Sequence, residues 1–131
     1  MELFDTHCHI QVEAFDADRE SVIARARAAG VAGMAVPGIH RDDLASVVAV
    51  CREHDGLHSA LGLHPVYLDR HRPEDVEALA ELVARERPVA IGEIGLDYFV
   101  KELDRERQQW MFEALLAVAR DAGLPVLLHV R

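Results

Sequence analysis

Residues 31–37 read VAGMAVP, and this short apolar run between Gly30 and Gly38 decides the fold class. A continuous apolar segment of this length is typical of a strand that is buried in a parallel sheet. Outward from it, further strand-like segments alternate with segments of helical periodicity. The predicted strands are 3–10, 31–37, 57–63, 89–94 and 125–130, and the predicted helices are 17–29, 42–54, 73–87 and 104–122. This regular alternation predicts a parallel sheet built from βα units.

The length of the chain bears on whether this sheet closes. The 131 residues contain no linker or low-complexity tract, so we predict a single domain over residues 1–131. A closed (β/α)8 barrel has eight strands and typically about 250 residues. The chain could form an open five-stranded sheet or the first part of such a barrel. The strand at 125–130 has no following helix to cover it, and we favour the barrel because histidines and carboxylates collect at one edge of the predicted sheet. The predicted fold class is α/β, a TIM (β/α)8-type barrel represented by its first five strands and four helices, with residues 1–131 as a truncated N-terminal part.

The composition limits the classes of partner. The net charge is −9 with histidine neutral, so the total shows no basic groove for a nucleic-acid backbone. The chain starts without a basic and apolar leader, and no apolar run approaches the roughly 20 residues that span a bilayer. Cys8 and Cys51 suit a reducing compartment. We therefore expect a cytoplasmic protein without membrane association. The composition makes no prediction of the oligomeric state.

The first predicted strand carries an unusual pattern of polar residues, FDTHCHI at 4–10. Side chains alternate between the faces of a strand, so Asp5, His7 and His9 would share one face. The two histidines would then lie about 6.6 Å apart along the strand, a spacing at which both imidazoles reach one ion. The alternative is a hydrogen-bonded histidine pair on a half-exposed edge.

Two more strands bring ionisable residues to the same edge of the predicted sheet. Glu93 lies in an apolar strand between Gly92 and Gly95, and His129 lies in the apolar strand at 125–130. In parallel α/β folds, the carboxyl ends of the strands line the active site. A buried carboxylate needs a partner, and histidines with a cation would supply it. The alternatives are an ion pair between Glu93 and Arg131, and a hydrogen-bonded core histidine at 129.

Three further residues near this edge are candidates for contact with a substrate. His64 follows the third strand and could be a ligand, a proton shuttle, a phosphate contact or a loop residue held by Pro65. Asp97 follows Glu93 closely and could line the pocket or cap a turn. Arg131 could hold non-bridging phosphate oxygens. We predict His64, Asp97 and Arg131 as substrate-binding residues.

Four motifs in register resemble the TatD family of metal-dependent hydrolases and deoxyribonucleases. They are DTHCH at 5–9, GLHP at 62–65, IGEIGLDY at 91–98 and PVLLHVR at 125–131. The resemblance implies a (β/α)8 barrel with two divalent ions, Mg, Mn or Zn. It further implies that His7 and His9 hold one ion, that Glu93 bridges both and is catalytic, and that His129 holds the second. The family takes another histidine from its sixth strand and an aspartate from its eighth, and neither can occur in this sequence.

The function that this resemblance implies is hydrolysis of phosphodiester bonds by two-metal activation of water. The expected activity is that of a 3′–5′ exodeoxyribonuclease, with DNA or another phosphodiester as the substrate, and it is in doubt if the chain stops at residue 131. Two alternatives stay open: a barrel hydrolase that acts on an amide or a lactone, and a truncated metal-binding fragment without activity. A glutamate rather than a lysine at position 93 favours the phosphodiesterase.

Overall fold

The fold is a five-stranded parallel sheet whose strands alternate with helices, and the computed structural model describes residues 1–131. The strands are β1 (Leu3–Asp5), β2 (Val31–Pro37), β3 (Leu57–Leu61), β4 (Ala90–Leu96) and β5 (Val126–Val130). The helices are α1 (Arg19–Ala28), α2 (Leu44–Glu53), α3 (Glu74–Glu86) and α4 (Arg105–Ala122). Every neighbouring pair is parallel, in the order β1-β2-β3-β4-β5. All five carboxyl ends therefore meet at one edge of the sheet.

The predicted elements all exist, and the largest error concerns the first strand. β2 has the predicted bounds, but β1 ends at Asp5 rather than at residue 10. The side chain of Asp5 causes a turn there, because its Oδ1 accepts a hydrogen bond from the backbone N–H of His7 at 3.0 Å. His7 and His9 consequently lie beyond the strand, and the predicted alternation of faces does not position them.

Helix α4 shows how the helices cover the sheet. It begins where Asp104 accepts a hydrogen bond from the backbone N–H of Arg107 at 3.0 Å, and it ends at Gly123, whose φ is 67°. Met111, Leu115 and Ala119 recur every four residues and form its buried face. They join an apolar core of 19 buried residues between the helices and the sheet. Although α4 has 18 residues, no helix has the combination of length and apolarity that crossing a membrane requires.

The two outer strands differ from the central ones in exposure. The central strand β4 is almost completely buried, whereas β5 exposes Leu128 and Val130, and β1 exposes Leu3 and Phe4. β1 and β5 each have one neighbour in the sheet. The sheet is therefore open at both sides, and its apolar outer strands lie at the surface.

Candidate metal centre

Three side-chain atoms from distant parts of the chain meet at the carboxyl edge of the sheet. The Nε2 atoms of His7 and His9 lie 3.1 Å apart. Glu93 Oε2 lies 2.9 Å from Nε2 of His7 and 3.2 Å from Nε2 of His9. The structure thus brings together the histidine pair and the carboxylate that the sequence indicated, although 84 residues separate His9 from Glu93.

The hydrogen bond on the far side of His9 determines which of its ring nitrogens carries a proton. Its Nδ1 lies 3.1 Å from the carbonyl oxygen of Pro37, which can only accept, so Nδ1–H must donate. In neutral His9 the Nε2 atom therefore presents a bare lone pair toward Glu93 and His7. The only proton that can lie among Nε2 of His7, Nε2 of His9 and Oε2 of Glu93 is then the one carried by His7. It can satisfy only one of the lone pairs that meet there. Such a cluster favours a cation, and imidazole with carboxylate is a usual set of metal ligands.

A second group of ligands uses the other oxygen of the same carboxylate. Nδ1 of His129 lies 3.0 Å from Glu93 Oε1, and Nε2 of His129 lies 2.8 Å from Asp97 Oδ2. Asp97 has no exposed surface and is an acceptor only, so Nε2–H of the neutral ring donates to it. Nδ1 then carries no proton, and its lone pair faces Glu93. Histidines that bind metals commonly donate their other ring N–H to a carboxylate, which fixes the orientation of the ring.

His64 is near the same oxygen but has the opposite tautomer. The backbone N–H of Val66 donates to Nδ1 of His64 at 3.1 Å, so the proton of the neutral ring is on Nε2. Nε2 lies 3.4 Å from Glu93 Oε1. Although the atoms of His64, Glu93 and His129 lie within 4.8 Å of one another, a protonated nitrogen is not a metal ligand. His64 is therefore suited to donate a hydrogen bond.

Glu93 is the centre of the cluster and is only 5% exposed. Burial by itself would raise the pKa of this carboxyl group. When the surrounding rings are protonated, hydrogen bonds from His64 and His9 and the positive charges of His64 and His7 outweigh burial, so the pKa of Glu93 is well below its usual range. The group is consequently a carboxylate at any pH at which the protein would work.

Gly95 allows β5 to come close enough for His129 to reach Glu93. Its φ is 150°, which L side chains rarely adopt, and a Cβ at this position would lie 2.0 Å from the carbonyl oxygen of His129. A glycine at this position therefore permits the pairing of β4 with β5.

Arg131 is the alternative partner of Glu93, and a core hydrogen bond is the alternative for His129. Glu93 does not pair with Arg131, because Nε of Arg131 donates to Asp97 at 2.9 Å and the side chain remains half exposed. Both ring nitrogens of His129 lie close to a carboxylate oxygen, but a neutral ring has one N–H, which donates to Asp97, so Nδ1 faces the shared Glu93 without a proton.

Asp97 is placed behind the site rather than at its surface. Its Oδ1 accepts from the backbone N–H groups of Phe99 and Val100, and its Oδ2 accepts from His129 and Arg131. Burial would raise its pKa, but the hydrogen bonds from His129, Val100 and Arg131 lower it. A fully buried carboxylate with these partners is suited to orient other groups, and contact of Asp97 with a substrate stays a prediction.

Sequence reasoning missed several groups that shape the site. The carbonyl oxygen of Pro37 orients His9, and no side-chain pattern reveals a backbone acceptor. Buried His71 donates through Nε2 to the carbonyl oxygen of His64 at 2.9 Å and so holds the loop of that residue. The ring of Tyr67 lies 5.9 Å from that of His64. Neither residue had a partner that could be recognised before the fold was known.

Comparison with known proteins gives the family of the chain. The family model described as TatD related DNase matches residues 4–131. The chain is 42% identical over 130 residues to the uncharacterized metal-dependent hydrolase YjjV of Escherichia coli, covering 97% of this chain and 50% of that protein. It is 37% identical over 130 residues to the 3′-5′ ssDNA/RNA exonuclease TatD of Erwinia tasmaniensis, covering 98% of this chain and 50% of that protein. The chain therefore spans about half the length of the curated relatives that it matches.

Solved structures of TatD homologues share the fold of this chain. The crystal structure of the Escherichia coli YjjV protein, a TatD homologue, superposes with a TM-score of 0.94 at 40% identity, over 98% of this chain and 51% of that one. A TatD family hydrolase from Entamoeba histolytica has a TM-score of 0.88 at 21% identity, over 100% and 50% of the two chains, and shares the fold. The predicted fold class is confirmed: the five parallel strands and their helices form half of a TIM-type barrel. The chain belongs to the family of TatD-related DNases.

Proposed function

We propose that the chain binds divalent metal ions and takes part in the hydrolysis of phosphodiester bonds in nucleic acid. The observation that carries the proposal is the tautomer of His9, whose bare Nε2 faces Glu93 Oε2 and His7 Nε2. The proposed ligands of one ion are His7, His9 and Glu93. Mg, Mn and Zn all suit imidazole and carboxylate ligands, and the residues do not choose among them.

A second ion is supported by the way in which the oxygens of Glu93 are divided. Oε2 faces His7 and His9, whereas Oε1 faces His129 and His64. One carboxylate with a histidine group on each oxygen has the arrangement of a bridging ligand. His129 would hold the second ion through Nδ1, with Asp97 fixing its ring from behind.

The proposed roles of His64, Arg131 and Asp97 follow from the hydrogen bonds that each can donate or accept. Two bound ions would lower the pKa of a water molecule and stabilise the attacking and leaving oxygens of an in-line displacement. His64 would donate its Nε2–H to an oxygen of the substrate. Arg131 keeps guanidinium N–H groups free of Asp97, and these would donate to non-bridging phosphate oxygens. Asp97 would position both His129 and Arg131.

The proposed substrate is the 3′ end of a nucleic-acid strand, and the proposed activity is a 3′–5′ exonuclease. The name of the Erwinia tasmaniensis relative supports this choice, since it is a 3′-5′ ssDNA/RNA exonuclease. We further propose that residues 1–131 act as one domain, the amino-terminal part of a longer barrel. The support is that relatives of known structure and sequence are about twice as long.

The test is release of nucleotides from a 5′-labelled single-stranded oligonucleotide with Mg²⁺ or Mn²⁺, and with EDTA as the blank. His9→Ala should abolish metal-dependent release, whereas His58→Ala, an exposed histidine at the other end of β3, should keep it. Metal binding is measured in parallel by calorimetry. Equal activity in both variants would refute the proposed site. Metal binding without release of nucleotides would retain the metal centre and reject the nuclease, and amide and lactone substrates would be tried next.

A further inference from the structure

The loop after β4 exposes two neighbouring aromatic rings, and each has a guanidinium group against it. Phe99 is 72% exposed and Tyr98 is 39% exposed. The guanidinium carbon of Arg131 lies 4.7 Å from the centre of the Phe99 ring, and that of Arg105 lies 4.6 Å from the centre of the Tyr98 ring. Both distances are in the range of cation–π contacts.

Packing within residues 1–131 leaves the ring of Phe99 at the surface. A ring that is 72% exposed contributes little to an apolar core, and Phe99 is not among the residues that pack against the core of this chain. An aromatic face backed by an arginine is the arrangement on which bases of single-stranded nucleic acid stack. Stacking is possible on every kind of base, because every base has a π face.

The loop is joined to the metal centre by one buried carboxylate. Asp97 Oδ1 accepts from the backbone N–H of Phe99 at 3.1 Å, and Asp97 Oδ2 accepts from His129 at 2.8 Å and from Arg131 at 2.9 Å. The backbone N–H of Tyr98 also donates to the carbonyl oxygen of Arg131 at 2.6 Å. The aromatic loop, Arg131 and the candidate ligand His129 are therefore held in one hydrogen-bonded unit.

We propose that Phe99, backed by Arg131, is a stacking platform for a base of a single-stranded nucleic acid whose phosphate lies at the metal centre. Tyr98 with Arg105 offers a second ring for the neighbouring base. The proposal rests on the proposed function and assigns to Phe99 the contact with an unpaired base, because a base within a duplex cannot be splayed onto a ring.

The experiment measures binding without hydrolysis. Fluorescence anisotropy of a labelled single-stranded DNA with non-hydrolysable phosphorothioate linkages is recorded with the 131-residue chain in Mg²⁺, with a second oligonucleotide that is abasic at its 3′-terminal position. Phe99→Ala should weaken binding of the normal strand about tenfold, the size of one base–aromatic stack. Phe99→Trp should retain it, because the larger ring keeps the stacking face. Trp110→Ala removes an exposed aromatic of α4 and is the matched control.

The abasic strand isolates the stacking contact. The wild-type chain should bind it about tenfold more weakly than the normal strand, and Phe99→Ala should bind both equally. Binding by Phe99→Ala within twofold of the Trp110→Ala control would overturn the platform, as would an equal loss from the abasic site in both proteins. Hydrolysis of bis(p-nitrophenyl) phosphate by the wild-type chain is recorded separately. If stacking is found without hydrolysis, the platform stands and the proposed function fails; if hydrolysis is found without stacking, only the platform fails.

Discussion

Removing the charge of Glu93 while keeping its shape tests the metal centre directly. Glu93→Gln leaves one oxygen and the same volume but replaces the carboxylate that contacts His7, His9 and His129 within 3.2 Å. Wild-type protein at a metal concentration 100 times the dissociation constant gains about 2.7 kcal/mol of stability. A chain of 131 residues has an entropy of unfolding of about 0.28 kcal/mol/K, from about 2.1 cal/mol/K per residue. The metal should therefore raise the Tm of the wild type by about 10 °C.

The same relation gives the expected value for the variant. Loss of a residue that supports a ligand reduces metal affinity by 10- to 100-fold, so loss of a shared ligand should reduce it by at least about 100-fold. At the same metal concentration the gain then falls to about 0.4 kcal/mol, or a shift of about 1 to 2 °C.

Thermal melts followed by circular dichroism, with and without Mn²⁺ or Zn²⁺, measure both shifts. The control is Glu113→Gln, an exposed glutamate of α4 that accepts a hydrogen bond from Gln109, and it should keep the full wild-type shift. A full shift in Glu93→Gln, or no shift in the wild type at concentrations up to millimolar, would refute the assignment of Glu93 as the shared ligand.

Two further predictions concern the fold. Leu115→Ala should lower the free energy of unfolding by about 2 to 5 kcal/mol, because Leu115 is fully buried. The control Leu116→Ala should lower it far less, because Leu116 is partly exposed. Urea unfolding of the two variants checks this, and equal losses would contradict the assigned buried face of α4. Asp75 is buried and accepts from Arg41 at 2.7 Å and from the backbone N–H of Arg72 at 2.9 Å; burial raises its pKa, but these bonds lower it overall. A lowered folded-state pKa stabilises the protein above the unfolded value near 4, and that contribution is lost as the pH falls through the folded value. Asp75→Asn should therefore lower stability by about 1 kcal/mol at pH 7, with a difference that shrinks below about pH 4, and a constant difference between pH 7 and pH 3 would be inconsistent with this sign.

The order of elements could be predicted because it depends on local patterns. The apolar run at 31–37 has the same bounds as β2, and the pattern at 104–122 differs from α4 by one residue. Asp104 and Gly123 act within one helical turn of the residues that they cap, so their effect can be inferred from neighbouring letters alone. The end of β1 could not be predicted in this way, because the bond from His7 to Asp5 competes with continued pairing to β2.

The sequence by itself determined the strand and helix order, the family, and the types of residue at the site: two histidines near one end of the chain, a glutamate in the fourth strand and a histidine in the fifth. Only the tertiary structure decided which atoms of these residues face one another. Pro37 and Val66 set opposite tautomers on His9 and His64, and the buried carboxylate of Asp97 accepts hydrogen bonds from His129 and Arg131. The physical reason is that a hydrogen-bond partner determines where a proton lies, and these partners come from backbone and side chains far away in the sequence.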